Sequence, residues 1–320
     1  MKPRPSRVPD FFLVGQPKSG TTALYEMLRA HPQLYMPELK EPVFMASDVL
    51  AGLARPSVRA RPKTLEEYLS LFDAARPDQH AGEASSLYLW SRTAAANIAT
   101  LQPSARIIAI LREPASFLRS LHLQMLQDRS EDERDLGQAL ALETDRRRGA
   151  HIPPGCPRPE ALFYSTYVCY LDQLRRYHSV FPREQVLVLI YDDFRADNEA
   201  TVRSVLRFLE VDDAVGIKVT DANPSVHLRS RQLEDVLQGL SAGHGGLMRV
   251  AKTPLKALTS RRFRHGALRI TRRRLIYGEP PAADEDTMRE LRRGFTEEVV
   301  ALGDYLGRDL VSLWGYDSVD

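Results

Sequence analysis

One stretch near the N-terminus decides the fold class of this 320-residue chain: Phe11-Phe12-Leu13-Val14-Gly15-Gln16-Pro17-Lys18-Ser19-Gly20-Thr21-Thr22. It begins with a continuous apolar run, 11–15, that ends on glycine. Such a run is typical of a strand buried on both faces of a parallel sheet. Apolar residues then recur at helical spacing over 22–30, and His31-Pro32 ends that pattern. The stretch therefore predicts a strand, a glycine-containing loop and a helix in succession.

The same alternation continues along the chain. Further strands are predicted at 80–83, 105–111 and 185–190, and further helices at 115–127, 198–209 and 284–306. Strands that alternate with helices favour a parallel sheet with right-handed crossovers. The predicted fold class is therefore α/β, a three-layer α/β/α arrangement around a central, mainly parallel sheet.

Composition limits the class of protein. The 44 Lys and Arg residues nearly balance the 42 Asp and Glu residues, so the whole chain carries no charge signature of nucleic-acid binding. The two cysteines form neither a disulfide framework nor a metal-ligand pattern. No apolar run has the length of a signal peptide or a membrane span, which predicts a cytoplasmic protein without a transmembrane segment. The Arg- and Pro-rich composition suggests a bacterial source.

A single domain over 1–320 is the simplest organisation, with two unusual segments. Residues 128–160 are charged and then rich in Pro and Gly, which predicts a mobile substrate loop or lid with a helix near 135–147. Residues 242–283 are basic. They form either a solvated helical face or, through 261–274, a surface for peripheral contact with a membrane or an anionic acceptor.

The loop between the first strand and the first helix is a ready anion site. Unpaired backbone N–H groups and the positive end of the helix dipole meet at such a loop. Lys18 adds a positive charge to this loop, and hydroxyl groups come from Ser19, Thr21 and Thr22. At Gly20 the backbone can approach an anion closely, because glycine has no side chain.

The rival interpretation is a nucleoside-triphosphate kinase of the P-loop type. The spacing of Gly15 and Gly20 fits that motif, but Thr21 stands where the motif requires lysine. The motif also needs an acidic residue for Mg²⁺ at the end of a core strand, whereas the strand 105–111 is followed by Arg112. The pattern favours a site that holds an anion without a metal.

At these residues the chain resembles the sulfotransferases that use 3′-phosphoadenosine-5′-phosphosulfate (PAPS), whose fold is similar to that of P-loop NTPases. The resemblance implies that Lys18 is a catalytic cation at the bridging oxygen and the leaving phosphate. It also implies that the whole motif binds the donor's 5′-phosphosulfate, through Pro17, Lys18, Ser19, Gly20, Thr21 and Thr22.

A second segment, 111–120, is similar to the 3′-phosphate motif of the same family. In that motif an arginine at a strand end and a serine on the next helix share the phosphate, which implies Arg112 and Ser120 here. The planar guanidinium suits this role because it binds phosphate in a bidentate manner. A later basic segment that closes over the 3′-phosphate would supply Arg229 or Arg231.

The segment 39–45 resembles the one that supplies a catalytic glutamate in the bacterial branch related to heparan-sulfate-type enzymes. The resemblance implies that Glu41 is the base that removes the acceptor's proton. Lys40 beside it would keep that carboxylate ionised or meet an anionic acceptor. The rival base is His122, since the cytosolic aryl and steroid branch uses histidine.

A further segment, 82–88, is similar to one that lines the family's acceptor cleft. It makes Glu83 either a second acidic contact to the acceptor or a structural partner of Lys18. Heparan-type enzymes carry lysine where this chain has Ala84, which weakens the expectation of a sulfated polysaccharide as acceptor.

The function expected from these residues is sulfuryl transfer from PAPS to a hydroxyl group of a small molecule, a glycoside or a glycolipid. The product of the donor is 3′,5′-adenosine bisphosphate (PAP), and no metal is expected. Two alternatives stay open, the P-loop kinase and a non-catalytic binding protein of sulfotransferase-like fold. The resemblance runs from about Phe11 to the C-terminus.

Overall fold

The computed structural model describes residues 7–50, 61–217 and 284–318, together with two short strands at 227–228 and 277–278. Seven strands are described: β1 Phe11–Gly15, β2 Leu34–Tyr35, β3 His80–Ala84, β4 Arg106–Leu111, β5 Val186–Ile190, β6 His227–Leu228 and β7 Tyr277–Gly278. The α-helices of the described ranges are α1 Thr21–Arg29, α2 Ser47–Leu50, α3 Leu65–Ser70, α4 Ala94–Leu101, α5 Pro114–Gln127, α6 Leu136–Ala141, α7 Glu143–Arg147, α8 Tyr170–His178, α9 Tyr191–Ala196, α10 Asn198–Phe208, α11 Glu285–Leu306 and α12 Leu310–Trp314.

A five-stranded sheet in the order β2-β3-β1-β4-β5 organises these elements. Every neighbouring pair in it is parallel, with β1 between β3 and β4. The chain therefore builds the sheet to one side of β1 and then crosses to the other side. In such sheets, ligands bind beyond the carboxyl ends of the strands where this reversal occurs.

Apolar side chains cover both faces of the sheet. Because successive residues of a strand point to opposite faces, Phe12 and Val14 of β1 enter one core, whereas Phe11 and Leu13 enter the other. The first core includes residues of α4, α5, α8, α11 and α12. The second includes residues of α1 and α10. Helices thus pack on both faces, and the predicted three-layer α/β fold is confirmed.

Local signals set the starts of the helices nearest the site. The Glu113 carboxylate accepts hydrogen bonds from the backbone N–H groups of Ala115 (2.9 Å) and Ser116 (2.7 Å), which caps α5. Pro114 occupies the first turn, where its missing N–H costs nothing. The same glutamate accepts a hydrogen bond from Tyr316. Glu113 is thus engaged with its own helix and with the C-terminal segment.

The predicted strands and longer helices agree with the structure to within one or two residues. The helix expected near 135–147 is two short helices, α6 and α7. The patterns did not predict the strand β2 of the five-stranded sheet, nor the helices α2, α3, α4, α8, α9 and α12. Of these, β2 is only two residues long and exists through its pairing with β3.

The segment predicted as a lid contains a buried anchor. Arg146 donates from Nη1 and Nη2 to the two carboxylate oxygens of Glu131, each at 2.7 Å, and both side chains are fully buried. The Tyr164 hydroxyl donates to the same carboxylate at 2.9 Å. A buried, bidentate pair of this kind ties 131 to 146. A role of this segment in acceptor choice stays a prediction.

The chain divides into two compact units, 1–223 together with 284–320, and 224–283. In the second unit the structure describes one antiparallel ribbon, in which β6 pairs with β7. The single-domain organisation stays a prediction, and the basic segment 242–283 lies outside the described residues apart from β7.

No helix in the described ranges is both long and apolar enough to cross a bilayer.

Candidate active site

The donor loop, residues 15–20, leaves the carboxyl end of β1 and turns into α1. A Cβ atom on Gly15 would lie 2.4 Å from the carbonyl oxygen of Ser86, and one on Gly20 would lie 2.9 Å from the Phe194 ring. Both glycines also have positive φ angles, 143° and 83°. Glycine is therefore required at both ends of the loop, because Ser86 and Phe194 pack directly against its backbone there.

The N-terminus of α1 is free of negative charge. Its first turn carries no acidic residue, and no side chain caps it through a hydrogen bond. Gly20, the residue before the helix, has the left-handed conformation. The backbone N–H groups of this turn and the helix dipole therefore favour an anion beside the loop.

Lys18 projects from the middle of this loop. Its Nζ donates to Oε1 of Gln124 on α5 at 3.2 Å. Burial lowers the pKa of Lys18, the positive charge of Arg112 lowers it further, and Asp128 partly opposes them. Within the described ranges no carboxylate forms an ion pair with Lys18 or Arg112. Two cations thus lie together at the end of the sheet, where an anion would relieve their repulsion.

Arg112 follows the last residue of β4 and turns toward the donor loop. Its Nη1 donates to the carbonyl oxygen of Lys18 at 2.8 Å. Its guanidinium lies 4.8 Å from the centroid of the Tyr191 ring, which is cation–π geometry. The Tyr170 hydroxyl donates to the Arg112 carbonyl oxygen at 3.0 Å. The structure therefore joins the two predicted donor motifs by a direct hydrogen bond.

The serine of the second motif lies on the same helix face as the residue that contacts Lys18. Ser120 comes one turn before Gln124 in α5, and residues four apart lie above one another on a helix. The Ser120 side chain is buried. Arg229 and Arg231, the predicted closing residues, lie outside the described residues.

Glu41 lies at the neighbouring strand end, beside β3. Its Oε2 accepts from the backbone N–H of Ser86 at 2.8 Å, and its Oε1 accepts from the Ser86 hydroxyl at 2.9 Å. Lys40 donates from Nζ to Oε1 at 2.9 Å. Both side chains remain partly exposed, 28% for Glu41 and 20% for Lys40. The carboxylate is thus held in one orientation and stays accessible, as a base must be.

Ser86 connects the candidate base to the donor loop. The same residue that binds the Glu41 carboxylate places its carbonyl oxygen against Gly15. The backbone N–H of Leu89 donates to Val14 at 2.7 Å, which fixes residues 85–89 to the end of β1. Glu41 and the loop that carries Lys18 are therefore held by adjoining elements of one sheet edge.

Glu83 is enclosed by tyrosines. Its Oε2 accepts from the hydroxyl groups of Tyr88 (2.6 Å) and Tyr68 (3.1 Å), and all three side chains are fully buried. Burial raises the pKa of Glu83 from its ordinary value of 4.5 to about 7. The hydrogen-bond partner of Lys18 is Gln124, so the observed contacts do not pair Lys18 with Glu83.

His122 faces another part of the molecule. Its Nε2 forms a 2.9 Å hydrogen bond with the carbonyl oxygen of Glu133, and its ring packs edge-on against Tyr164. The side chain is buried, and burial lowers its pKa. These contacts belong to the segment around the Glu131–Arg146 pair, whereas Glu41 lies beside the donor loop.

The structure adds residues that sequence reasoning did not single out. Gln124 contacts Lys18, Tyr191 covers Arg112, and Ser86 holds Glu41. Ser86 lies in the segment 82–88 whose resemblance was recognised, and Tyr191 directly follows β5 at the sheet edge. Ser86 and Tyr191 could therefore have been predicted from their positions just after strand ends. No local sequence feature indicates a role for Gln124.

Comparison with known proteins gives a consistent result. The family model described as the Sulfotransferase domain matches residues 8–223. Human carbohydrate sulfotransferase 15 is 28% identical over 251 residues, a match that covers 64% of this chain and 44% of that protein. Mouse heparan sulfate glucosamine 3-O-sulfotransferase 3B1 is 26% identical over 205 residues, covering 63% of this chain and 46% of that protein. The matches thus span less than half the length of these relatives.

A solved structure supports the same assignment. The crystal structure of a sulfotransferase from Alicyclobacillus acidocaldarius superposes with a TM-score of 0.57 and 28% sequence identity. The superposition covers 74% of this chain and 92% of that one. The fold and the family match therefore come from independent comparisons, one of structure and one of sequence.

Proposed function

This chain belongs to the sulfotransferase family, and we propose that it transfers a sulfuryl group from PAPS to an acceptor hydroxyl. The observation that carries the proposal is the contact between the two donor motifs. Arg112 donates to the backbone of Lys18, so one cluster presents two cations at the carboxyl ends of β1 and β4. A second element of the same sheet edge presents the accessible carboxylate of Glu41.

The residues present fit a donor with two phosphate-bearing ends. The first turn of α1 carries no acidic residue and no capping side chain, so its N–H groups and the helix dipole favour a phosphate. Lys18 and Arg112 lack a carboxylate ion-pair partner within the described residues, and repulsion between them contributes to the lowered pKa of Lys18. A polyanion at this position would be bound by Lys18 and the start of α1 at one end, and by Arg112 and Ser120 at the other.

When bound, PAPS supplies an electrophilic sulfuryl group and a phosphate leaving group. The protein then has three tasks: to orient the donor, to stabilise the charge that develops on the leaving phosphate, and to remove the acceptor's proton. Lys18 and the N–H groups of the donor loop stabilise the leaving oxygen. Glu41, oriented by Ser86 and Lys40, accepts the proton from the acceptor hydroxyl.

The acceptor is proposed to be a hydroxyl group of a carbohydrate, a glycoside, a glycolipid or another small molecule. The names of the matched relatives point to carbohydrate acceptors for those proteins. Lys40 lies beside Glu41 and is partly exposed, so it can meet an anionic group of the acceptor. Ala84 leaves this chain without the lysine of heparan-type enzymes, so the carbohydrate need not be sulfated.

Binding of PAP is the decisive test, because it does not require the acceptor to be known. PAP at saturating concentration should raise the melting temperature in the absence of Mg²⁺, since a ligand that binds only the folded state stabilises it. ATP with Mg²⁺ should give a much smaller shift. A shift with Mg-ATP and none with PAP would overturn the proposal in favour of the kinase.

Turnover separates an enzyme from a binding protein. The assay follows ³⁵S from labelled PAPS onto heparan-derived and chondroitin-derived oligosaccharides, an alkyl glucoside and 2-naphthol. We expect transfer to at least one carbohydrate that depends on both Lys18 and Glu41. PAP binding combined with no transfer to any acceptor of this panel would favour the non-catalytic alternative.

A further inference from the structure

The segment that carries Glu41 has a backbone conformation that needs external support. Glu41 and Val43 have φ angles of 61° and 58°, in the left-handed region. This region is unfavourable for residues other than glycine and most of all for a β-branched side chain such as that of Val43. Such conformations persist only where surrounding contacts impose them, and they cluster at functional sites.

Three hydrogen bonds from alternate residues impose this conformation. The backbone N–H of Glu41 donates to the Ala84 carbonyl oxygen at 3.0 Å. The N–H of Val43 donates to the Ser85 hydroxyl at 3.0 Å, and that of Met45 donates to the Tyr88 hydroxyl at 3.1 Å. The segment 41–45 is therefore fastened along its length to residues 84–88.

The last of these contacts ends on a buried carboxyl group. The Tyr88 oxygen accepts a hydrogen bond from the backbone N–H of Met45, and the Tyr88 hydroxyl donates its own hydrogen bond to Glu83 at 2.6 Å. Tyr68 donates to the same carboxyl oxygen. The other oxygen, Oε1 of Glu83, is buried, and the Ser85 hydroxyl that accepts from Val43 lies beside this carboxyl group and lowers its pKa against the effect of burial.

Burial of a carboxyl group in this position costs more free energy than burial of an apolar side chain would. The Glu83 carboxyl group is fully enclosed and lacks a cationic partner among the described ion pairs. An apolar side chain would fill the same space without that penalty. An apolar side chain could not accept the hydrogen bond of the Tyr88 hydroxyl and so could not hold its oxygen toward Met45.

We propose that Glu83 and Tyr88 are positioning residues for the base: Glu83 fixes the Tyr88 hydroxyl, which holds the Met45 N–H and keeps the segment 41–45 in the conformation that presents Glu41. This inference rests on the proposed function for its catalytic consequence. Its structural part, the fastening of 41–45 through Tyr88, stands independently. Neither residue touches the reacting groups, and both act through the backbone of the segment.

The test uses the full chain and three substitutions. Tyr88→Phe removes the acceptor of Met45, Glu83→Leu removes the acceptor of Tyr88, and Glu83→Gln keeps an oxygen that accepts from Tyr88. Tyr35→Phe is the matched control, because it removes a hydroxyl that donates to a backbone carbonyl of Leu71 at 3.0 Å. That hydrogen bond does not involve the segment 41–45.

The first readout is hydrogen exchange of the Val43 and Met45 amides, which needs no acceptor. We expect exchange at least tenfold faster in Tyr88→Phe and Glu83→Leu, and near the wild-type rate in Glu83→Gln and Tyr35→Phe. The second readout is turnover with the acceptor that the wild type sulfates. We expect kcat to fall about tenfold in Tyr88→Phe and Glu83→Leu, with the Kd for PAP within twofold of the wild-type value.

The two readouts distinguish failure of the inference from failure of the proposed function. Wild-type protein that transfers no sulfate to any acceptor would contradict the proposed function, while amide exchange would still decide whether 41–45 is fastened through Tyr88. Unchanged exchange in Tyr88→Phe would overturn the inference. So would a loss of PAP affinity equal to the loss in kcat, because that pattern indicates general damage to the sheet edge.

Discussion

The two halves of the candidate site are built in different ways. On the donor side, the loop 15–20 and the start of α1 are consecutive in the chain, and Arg112, which follows the adjacent strand β4, completes the cluster. On the acceptor side, Glu41 receives its orientation from Ser86 and its backbone support from 84–88. The donor side is thus a local motif, whereas the acceptor side depends on contacts between distant parts of the sequence.

This difference predicts that the two halves fail in different ways. Damage to the donor side should weaken PAP binding, because the charge and the N–H groups that hold the anion are lost. Damage to the acceptor side should leave PAP binding unchanged and reduce turnover, because only the presence or the orientation of the base changes. The following substitutions test that separation, from the largest expected effect to the smallest.

Glu41→Gln should have the largest effect on turnover. A general base contributes about 10²–10⁴-fold to the rate, so we expect kcat to fall about a thousandfold. The Kd for PAP should stay within twofold, since the amide preserves the shape of the side chain. His122→Gln is the comparison, because His122 lies against Glu133 and Tyr164. Full turnover in Glu41→Gln together with loss of turnover in His122→Gln would assign the base to the histidine.

Lys18→Met should weaken both donor binding and chemistry. Removal of one preorganised group that stabilises the leaving oxygen costs about 10²–10³-fold, so we expect kcat/KM for PAPS to fall about a hundredfold. PAP binding by calorimetry should weaken as well. Lys63→Met, which removes an exposed charge at the start of α3, is the control. A loss of kcat with normal PAP affinity would show that Lys18 does not bind the donor in the ground state.

Ser86→Ala should give an intermediate effect confined to turnover. The substitution removes the hydroxyl that donates to Glu41 at 2.9 Å and leaves the backbone N–H in place. A hydrogen bond to a charged group is worth about 1.5–3 kcal/mol, which corresponds to a fall in kcat of about tenfold or more. Because the Ser86 backbone also borders Gly15, PAP affinity is measured in parallel. Equal losses in both would mean that the two halves are not separable.

Tyr191→Leu should have a small effect confined to donor binding. The ring lies 4.8 Å from the Arg112 guanidinium, and a partly exposed cation–π contact is worth about 0.5–1 kcal/mol. We therefore expect PAP to bind about two- to fivefold more weakly, with kcat unchanged at saturating PAPS. The measurement is a PAP titration of the two proteins by calorimetry. Unchanged affinity would show that Tyr170 and the backbone of Lys18 are sufficient to orient Arg112.

The pH dependence of PAP binding should reveal the lowered pKa of Lys18 in the wild-type protein. Burial and Arg112 lower the pKa of Lys18 from its ordinary value of 10.5. Only the protonated amine attracts the anion, so affinity should fall as pH rises through the lowered pKa, below pH 10.5. Lys18→Arg should bind PAP with no such decline, because guanidinium stays protonated. The same decline in both proteins would exclude Lys18 as its cause.

Much of the fold was predictable because its signals are local. The run 11–15 identified a buried strand, the Gly-containing loop identified a strand-to-helix junction, and the strand ahead of Arg112 stood out by its continuous apolar residues. Short elements were not predicted, because they carry no such local signal. The strand β2 has two residues and no pattern of its own, and it forms only because β3 supplies its partner.

The parts of the site that a short stretch of sequence defines could be predicted, and the parts that depend on distant residues could not. The motif 17–22 and Arg112 could be named from their places at strand ends, and the structure brings them into contact. Glu41 could be named through the resemblance of its segment, but the residue that orients it could not. The sequence left Glu83 open between an acceptor contact and a partner for Lys18, and its observed contacts are with Tyr68 and Tyr88.

By itself the sequence determined the α/β class, the place of the donor loop and the order of the two donor motifs. These features depend on apolar periodicity and on the residues at strand ends, which are local properties of the sequence. Only the tertiary structure decided which carboxylate is partly exposed beside the loop and which is buried. Glu41 and Glu83 are the same residue type, but one meets Ser86 and Lys40 at the edge, whereas the other lies among tyrosines inside. Burial and hydrogen-bond partners come from chain segments far apart in sequence, and no local pattern contains them.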